Sequence, residues 1–214
     1  MLGERCLAEQ GHFAPHTPLR FAPGALGGER DSRKLEAVGQ RQNIFTNKRG
    51  FLMYNHAPEE YECPLCAIAI HELENGPLYS PNDLIYSDQD VYAMIGVYQW
   101  PKNPGNVVVV PNAHYENIYD LPIHLVSRIH DLARGIALAM KPAWKCDGLS
   151  IRQHNEPAGN QDVWHYHMHV TPRFHGDELY RTYVESKALM LPEDRARYAR
   201  DLINQMTDWK PFAA

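Results

Sequence analysis

Beyond about residue 50 the chain carries three kinds of hydrophobic pattern. Val107-Val108-Val109-Val110 is a run of β-branched residues closed by Pro111. Such a run, lacking polar alternation, predicts a central strand covered on both faces. Before it, 83–87 and 91–97 read as strands joined by a turn at Asp88-Gln89-Asp90. After it, Leu125, Ile129, Leu132, Ile136 and Met140 recur at three- and four-residue spacing. That spacing predicts a long helix opened by Pro122 and reaching about Lys141. The third pattern is strict alternation in Trp164-His165-Tyr166-His167-Met168-His169-Val170. A strand over 164–170 puts Trp164, Tyr166, Met168 and Val170 into the core and the three histidines together on the opposite face.

Shorter elements fill in the order. A helix is expected over 63–75, closed by Asn75-Gly76, and a strand over 148–154. A loop from Asn155 to Gln161 leads into the histidine strand. Another helix, near 192–207, opens on Pro192 with Glu193 and Asp194 in its first turn, where acids favour the helix dipole. His71, His124 and His130 read as exposed or locally satisfied helical residues. There is no internal repeat. Strands, a long helix, more strands and a tail helix, joined by short connections, give an α+β domain: a mainly antiparallel sheet of about five strands with the helix packed on one face.

Composition sets the outer bounds. A 214-residue chain with 44% hydrophobic residues suits one domain with a tail. Residues 1–50, rich in Gly, Pro, Arg and polar residues, read as a disordered or loosely attached extension, and 51–214 as the domain, with Met53 as an alternative start. A net charge of -5 argues against general nucleic-acid affinity through a basic surface. There is no apolar run of about eighteen residues for a membrane span and no apolar stretch fit for a secretory leader. Glu4, Glu9 and Glu29 argue against a transit peptide. The cytoplasm is the expected compartment.

Two motifs carry chemistry. Imidazoles in register can serve as nucleophile, acid or metal ligand; the bland alternative is a surface strand rich in histidine. Cys63-Pro64-Leu65-Cys66 is either a metal knuckle or a redox pair, and the strand and βαβ setting of a redox pair are missing. Cys6 reads as incidental and Cys146 as a small buried residue. A catalytic metal held by all three strand histidines is a further possibility, but it leaves the C-x-x-C and Pro104-Gly105 unexplained.

His165-Tyr166-His167-Met168-His169-Val170-Thr171-Pro172-Arg173 resembles the signature of the histidine triad (HIT) superfamily, H-x-H-x-H followed by Pro-Arg. Pro104-Gly105-Asn106 through Pro111-Asn112-Ala113-His114 resembles its Pro-Gly-His strand leading to Pro-Lys-x-His, and Asp120-Leu121 its helix approach. The C-x-x-C sits where many bacterial members carry one. The similarity covers roughly residues 60–175 and is closest to zinc-containing bacterial-type members. It implies the HIT-like fold and a nucleotide hydrolase or nucleotidyltransferase acting at an α-phosphate on a purine nucleotide or nucleotide conjugate. His167 would form a covalent nucleotidyl-histidine. His169, Gln161 and Asn155 would bind phosphate. Structural zinc would be held by Cys63, Cys66, His114 and His165. The base would sit in an apolar slot lined from 91–100, and the protein would be a homodimer. Three positions depart from the family pattern: Asn106 replaces a histidine, Tyr98 stands where an acid holds the ribose, and Asp162 replaces Ser or Thr. They motivate an alternative, a catalytically weak nucleotide-binding or interaction protein of the same fold.

Overall fold

The computed structural model describes residues 43–46, 52–70, 78–182 and 187–212; the part of the expected helix over 71–75, with His71, and residues 1–42 lie outside these. A hairpin of β1 (Asn43–Thr46) and β2 (Leu52–Asn55) straddles residue 50. A short helix, α1 (Pro64–Ala69), starts inside the C-x-x-C, with Pro64 in its first turn. Then come β3 (Leu84–Ser87), β4 (Val91–Ile95), β5 (Tyr98–Gln99) and β6 (Val107–Pro111). The long helix α2 (Ile123–Trp144) precedes β7 (Gly148–Gln153) and β8 (Met168–Arg173). The chain closes through α3 (Leu179–Thr182), β9 (Ala188–Leu189) and α4 (Pro192–Gln205).

The α+β expectation holds: five strands form one antiparallel sheet in the order β3-β4-β6-β8-β7. The valine run is its middle strand and is buried on both faces. Val107 and Val109 join Val91, Ala93, Ile95, Met168 and Val170 against α2, whose Leu125, Ile129, Leu132, Ile136 and Met140 are all buried. Val108 and Val110 join Tyr92, Met94 and Ile68 of α1 on the other face. Removing these side chains from water is the main stabilising term, about 1.5–3 kcal/mol for each large aliphatic group. His124 and His130 are exposed on α2, and the His130 ring bonds the Val126 carbonyl.

The helix runs three residues past Lys141 because Pro142 falls close to its end, where the missing N–H costs one bond. Lys145 then stops it in the left-handed region (φ 53°). The extra turn carries Trp144 over Gly105. A Cβ on Gly105 would lie 2.6 Å from the indole, and φ there is +96°. The indole is held by its Nε1–H on Asp201 Oδ2 (3.1 Å) and by the edge of Tyr198, so it has little room to give. Gly105→Ala should therefore cost about 2–4 kcal/mol, read as a lower urea midpoint; an unchanged midpoint contradicts this packing.

Two features differ from the sequence expectation. The strand expected over 164–170 begins only at Met168. β7 offers its last partner at Gln153↔Met168, and the preceding residues turn away to other partners: Tyr166 N–H donates to Tyr115 O, and the His165 ring bonds Pro111 O. Tyr166 still reaches the core, but Trp164 does not; it is half-buried and stacks on His56. The second is a fully buried Arg195 on α4, paired with a fully buried Asp83 at 3.0 Å, which clamps the tail helix to the start of β3.

Candidate functional site

Two clusters meet where the chain approaches β8. The first gathers Cys63 and Cys66 at the start of α1, His114 after β6, and His165. Their ligand atoms all lie within 4.8 Å of one another. His165 Nδ1 is 3.2 Å from Cys63 Sγ and 3.4 Å from Cys66 Sγ, and His114 Nδ1 is 3.2 Å from Cys66 Sγ. The Pro111 carbonyl, 2.9 Å from His165 Nε2, can only accept. It fixes the Nε2–H tautomer and leaves the Nδ1 lone pair facing the thiols.

The thiols show what such a donor set needs. Burial works against ionisation at Cys63, but the adjacent His114 and His165 rings bring it down to about 5. Burial and the adjacent Cys63 thiolate push Cys66 up to about 12. The protein alone stabilises one thiolate, and a second requires a cation between them. Two thiolates and two neutral imidazoles in a tetrahedral-sized cluster fit zinc. Two further bonds tie this corner to the sheet: Tyr92 Oη donates to Leu65 O (2.9 Å), and Trp164 N–H donates to Tyr61 Oη (3.2 Å).

The second cluster lines a cavity of about 730 Å³. Its lining is apolar at Leu65, Ile68, Met94, Val97 and Trp100, and so includes the expected 91–100 slot. The same cavity holds His167 and His169, whose ring centroids are 5.0 Å apart. His167 Nδ1 lies 2.8 Å from the His165 carbonyl. A carbonyl only accepts, so Nδ1 carries the proton and Nε2 keeps its lone pair. Burial lowers the His167 pKa and, with the charges of His167, Arg152, His154 and Lys187, lowers that of His169 well below the ordinary value. Both rings are therefore neutral near pH 7.

His169 takes the opposite tautomer, and Asn106 accounts for it. The Thr171 hydroxyl donates to Asn106 Oδ1 at 2.8 Å, which turns Nδ2 toward His169 Nδ1 at 3.4 Å. The amide nitrogen donates, so Nδ1 accepts and the proton sits on Nε2. Asn106 is itself fixed by the Gln99 side chain, which accepts from Asn106 N–H (2.7 Å) and donates to Asn106 O (2.9 Å). The asparagine that departs from the family pattern thus orients one of the triad rings.

The loop residues expected to bind phosphate are placed differently. Gln161 borders the cavity, but its amide is committed: Nε2 donates to Glu116 O (2.6 Å) and Val163 O (3.2 Å), and Oε1 accepts from Glu156 N–H (2.7 Å). Asn155 is not among the cavity-lining residues. It bonds Ile118 N–H (2.8 Å) and the Gln153 amide (2.7 and 3.0 Å). Both brace the loop through these bonds. The residues missed are His154, Asn160 and Lys187, which also line the cavity. A hint of His154 lay in the β7–β8 register, since Gln153 pairs Met168 and the next residue falls beside His167. Asp162 also borders the cavity, where its exposed carboxylate is paired with Lys187 (3.1 Å), which offsets the repulsion expected of a carboxylate there.

A family model described as the HIT domain matches residues 78–176. The chain is 32% identical over 94 residues to Protein hit of Bacillus subtilis, spanning 44% of this chain and 63% of that protein. An uncharacterised HIT-like protein of Methanocaldococcus jannaschii is 30% identical over 132 residues, which is 61% of this chain and 94% of the relative. An adenosine 5′-monophosphoramidase of Saccharomyces cerevisiae is 26% identical over 52% of this chain and 62% of its own length. Among solved structures, a zinc-bound histidine triad family protein from Mycobacterium smegmatis superposes with a TM-score of 0.54 at 25% identity, covering 68% of this chain and 94% of that one.

Proposed function

The chain belongs to the HIT domain family, and from that premise we propose that it is a nucleotide hydrolase or nucleotidyltransferase that cleaves at an α-phosphate through a covalent intermediate on His167. The supporting observation is the 2.8 Å bond from His167 Nδ1–H to the His165 carbonyl, which leaves the Nε2 lone pair in a cavity large enough for a nucleotide.

The apolar lining takes the base. His169 Nε2–H donates to the phosphate and to the charge that develops on it. His167 Nε2 forms a bond to phosphorus while the bond to the leaving group breaks; the leaving group departs with the electron pair and takes a proton from water. Water then adds to phosphorus, the P–N bond breaks back to Nε2, and the nucleoside monophosphate is released. Ester, phosphoramidate and anhydride substrates share these steps, and a phosphoramidase among the relatives supports the phosphoramidate.

Zinc at Cys63, Cys66, His114 and His165 belongs to the same proposal, in the manner of the bacterial-type members. It supplies charge to hold both thiolates and ties α1 to the approach of β8. A homodimer through α2 and the edge strand β7, where Leu138 and Ile151 are exposed, would show twice the mass of one chain in light scattering. We take the cytoplasm as its compartment, where the thiols stay reduced. No helix among the described residues is long and apolar enough to cross a membrane.

The test is a panel of adenosine phosphoramidate and dinucleoside polyphosphate substrates with intact-mass detection of a nucleotidyl adduct. Tight nucleotide binding with neither turnover nor adduct favours the non-catalytic alternative. Since the neutral ring attacks and its pKa is lowered, adduct formation should stay level as pH falls through about 6.5, where an ordinary histidine would be half protonated. A twofold drop there contradicts the buried, neutral nucleophile.

A further inference from the structure

Lys187 reaches the cavity from outside the family match, which ends at residue 176. β9 pairs with β5, Ala188 opposite Gln99 and Leu189 opposite Tyr98, and Met190 N–H donates to Val97 O at 3.0 Å. These bonds hold the residue just before β9 on the cavity wall that His167 and His169 share. The ammonium lies 3.1 Å from Asp162 Oδ2 and 4.8 Å from the Tyr98 ring centroid.

Lys187 is the inner member of this pair. Its side chain is 34% exposed, against 66% for Asp162. Its charge acts on His169, while that of Asp162 acts on His167 in the opposite sense. A carboxylate this exposed is a weak partner for a lysine, whereas a phosphate entering the half-closed cavity is a stronger one. One phosphate at His167 and His169 leaves the ammonium still facing Asp162, beside Tyr98.

On the reading that this cavity binds a nucleotide, we propose that Lys187 anchors a second phosphate of the substrate, exchanging Asp162 for it. That phosphate is carried either along the 5′ chain or on a ribose hydroxyl beside Tyr98. The chemistry is the same, and the ligand arms of the test separate the two.

Calorimetry on the full chain compares AMP, ADP and adenosine 3′,5′-bisphosphate. In the parent, ADP or the bisphosphate should bind about tenfold or more tightly than AMP, and whichever does so identifies the position. In Lys187→Met that ratio should fall to near one, and in Asp162→Asn it should rise. Using the ratio separates the effect from loss of folded protein, and the Asp162→Asn arm reads it with the lysine kept. A parent ratio near one, or a ratio that survives Lys187→Met, overturns the proposal while AMP binding upholds the nucleotide site. Failure of the parent to bind AMP overturns the nucleotide reading, and this proposal with it.

Discussion

His167→Ala is expected to abolish the nucleotidyl adduct and to lower kcat/KM by about 10⁴-fold or more, equivalent to roughly 5 kcal/mol of transition-state stabilisation. The covalent route then loses its nucleophile, the Nε2 lone pair that the His165 carbonyl fixes on His167. His169 presents an N–H where His167 presents a lone pair, since Asn106 holds the His169 Nδ1 and the His165 carbonyl holds the His167 Nδ1. The triad is two tautomers side by side, so the substitutions should separate. His169→Ala removes a donor and leaves the nucleophile; a loss of about 10²–10³-fold in kcat with the adduct still detectable fits removal of one oxyanion-type donor. Asn106→Leu frees the His169 tautomer and should act mainly on kcat. Steady-state kinetics with intact-mass spectra on all three variants decides the matter. A His167→Ala protein that still turns over or still carries the adduct defeats the assignment.

How far the sequence reached depended on the range of the interactions involved. The valine run, the helical spacing from Leu125 to Met140 and the alternation at Tyr166, Met168 and Val170 are local patterns read by the sheet and helix that bury them, and all appear in the core. The cysteine pair and two histidines, far apart in sequence, were brought together by the family resemblance, and their ligand atoms converge. What escaped was set by long-range contacts with no periodic trace. Asp83 and Arg195 meet 112 residues apart, Gln99 captures the backbone of Asn106, and Lys187 arrives through a two-residue strand pairing. The loop amides have further partners for a related reason. Gln161 donates to the Glu116 and Val163 carbonyls, as buried polar groups must be satisfied, while Asn155 exchanges bonds with the Gln153 side chain and accepts from Ile118 N–H. The histidine strand was read too long because alternation describes side-chain direction, and it continued through 165–167 after the ladder had ended.

Loss of the metal should be the second largest effect and should reach catalysis through a single peptide unit. The four candidate ligands come from three segments, the start of α1, the turn after β6 and the approach to β8, so a zinc held there would close loops that the hydrophobic core does not. The domain keeps its sheet and α2 without the ion, and we expect a loss of about 3–4 kcal/mol rather than complete unfolding. For a chain of this size that corresponds to a fall in Tm of roughly 6–16 °C, on strong chelation or in Cys66→Ser. Catalysis should fall as well, because His165 would supply its ring to the metal while its carbonyl holds His167 Nδ1. Releasing the ring loosens the carbonyl that sets the nucleophile's tautomer, which lowers kcat more than it raises KM. Protons add a further signature. Without the cation the Cys66 thiol stays protonated up to about 12, so binding zinc near pH 7 must displace a proton, and affinity must weaken as pH falls. Elemental analysis should find one zinc per chain, lost from Cys63→Ser and His114→Ala and retained in His167→Ala. Zinc lost from His167→Ala instead would move the ion to the triad, and a Tm indifferent to both chelator and Cys66→Ser would remove the metal from the structure.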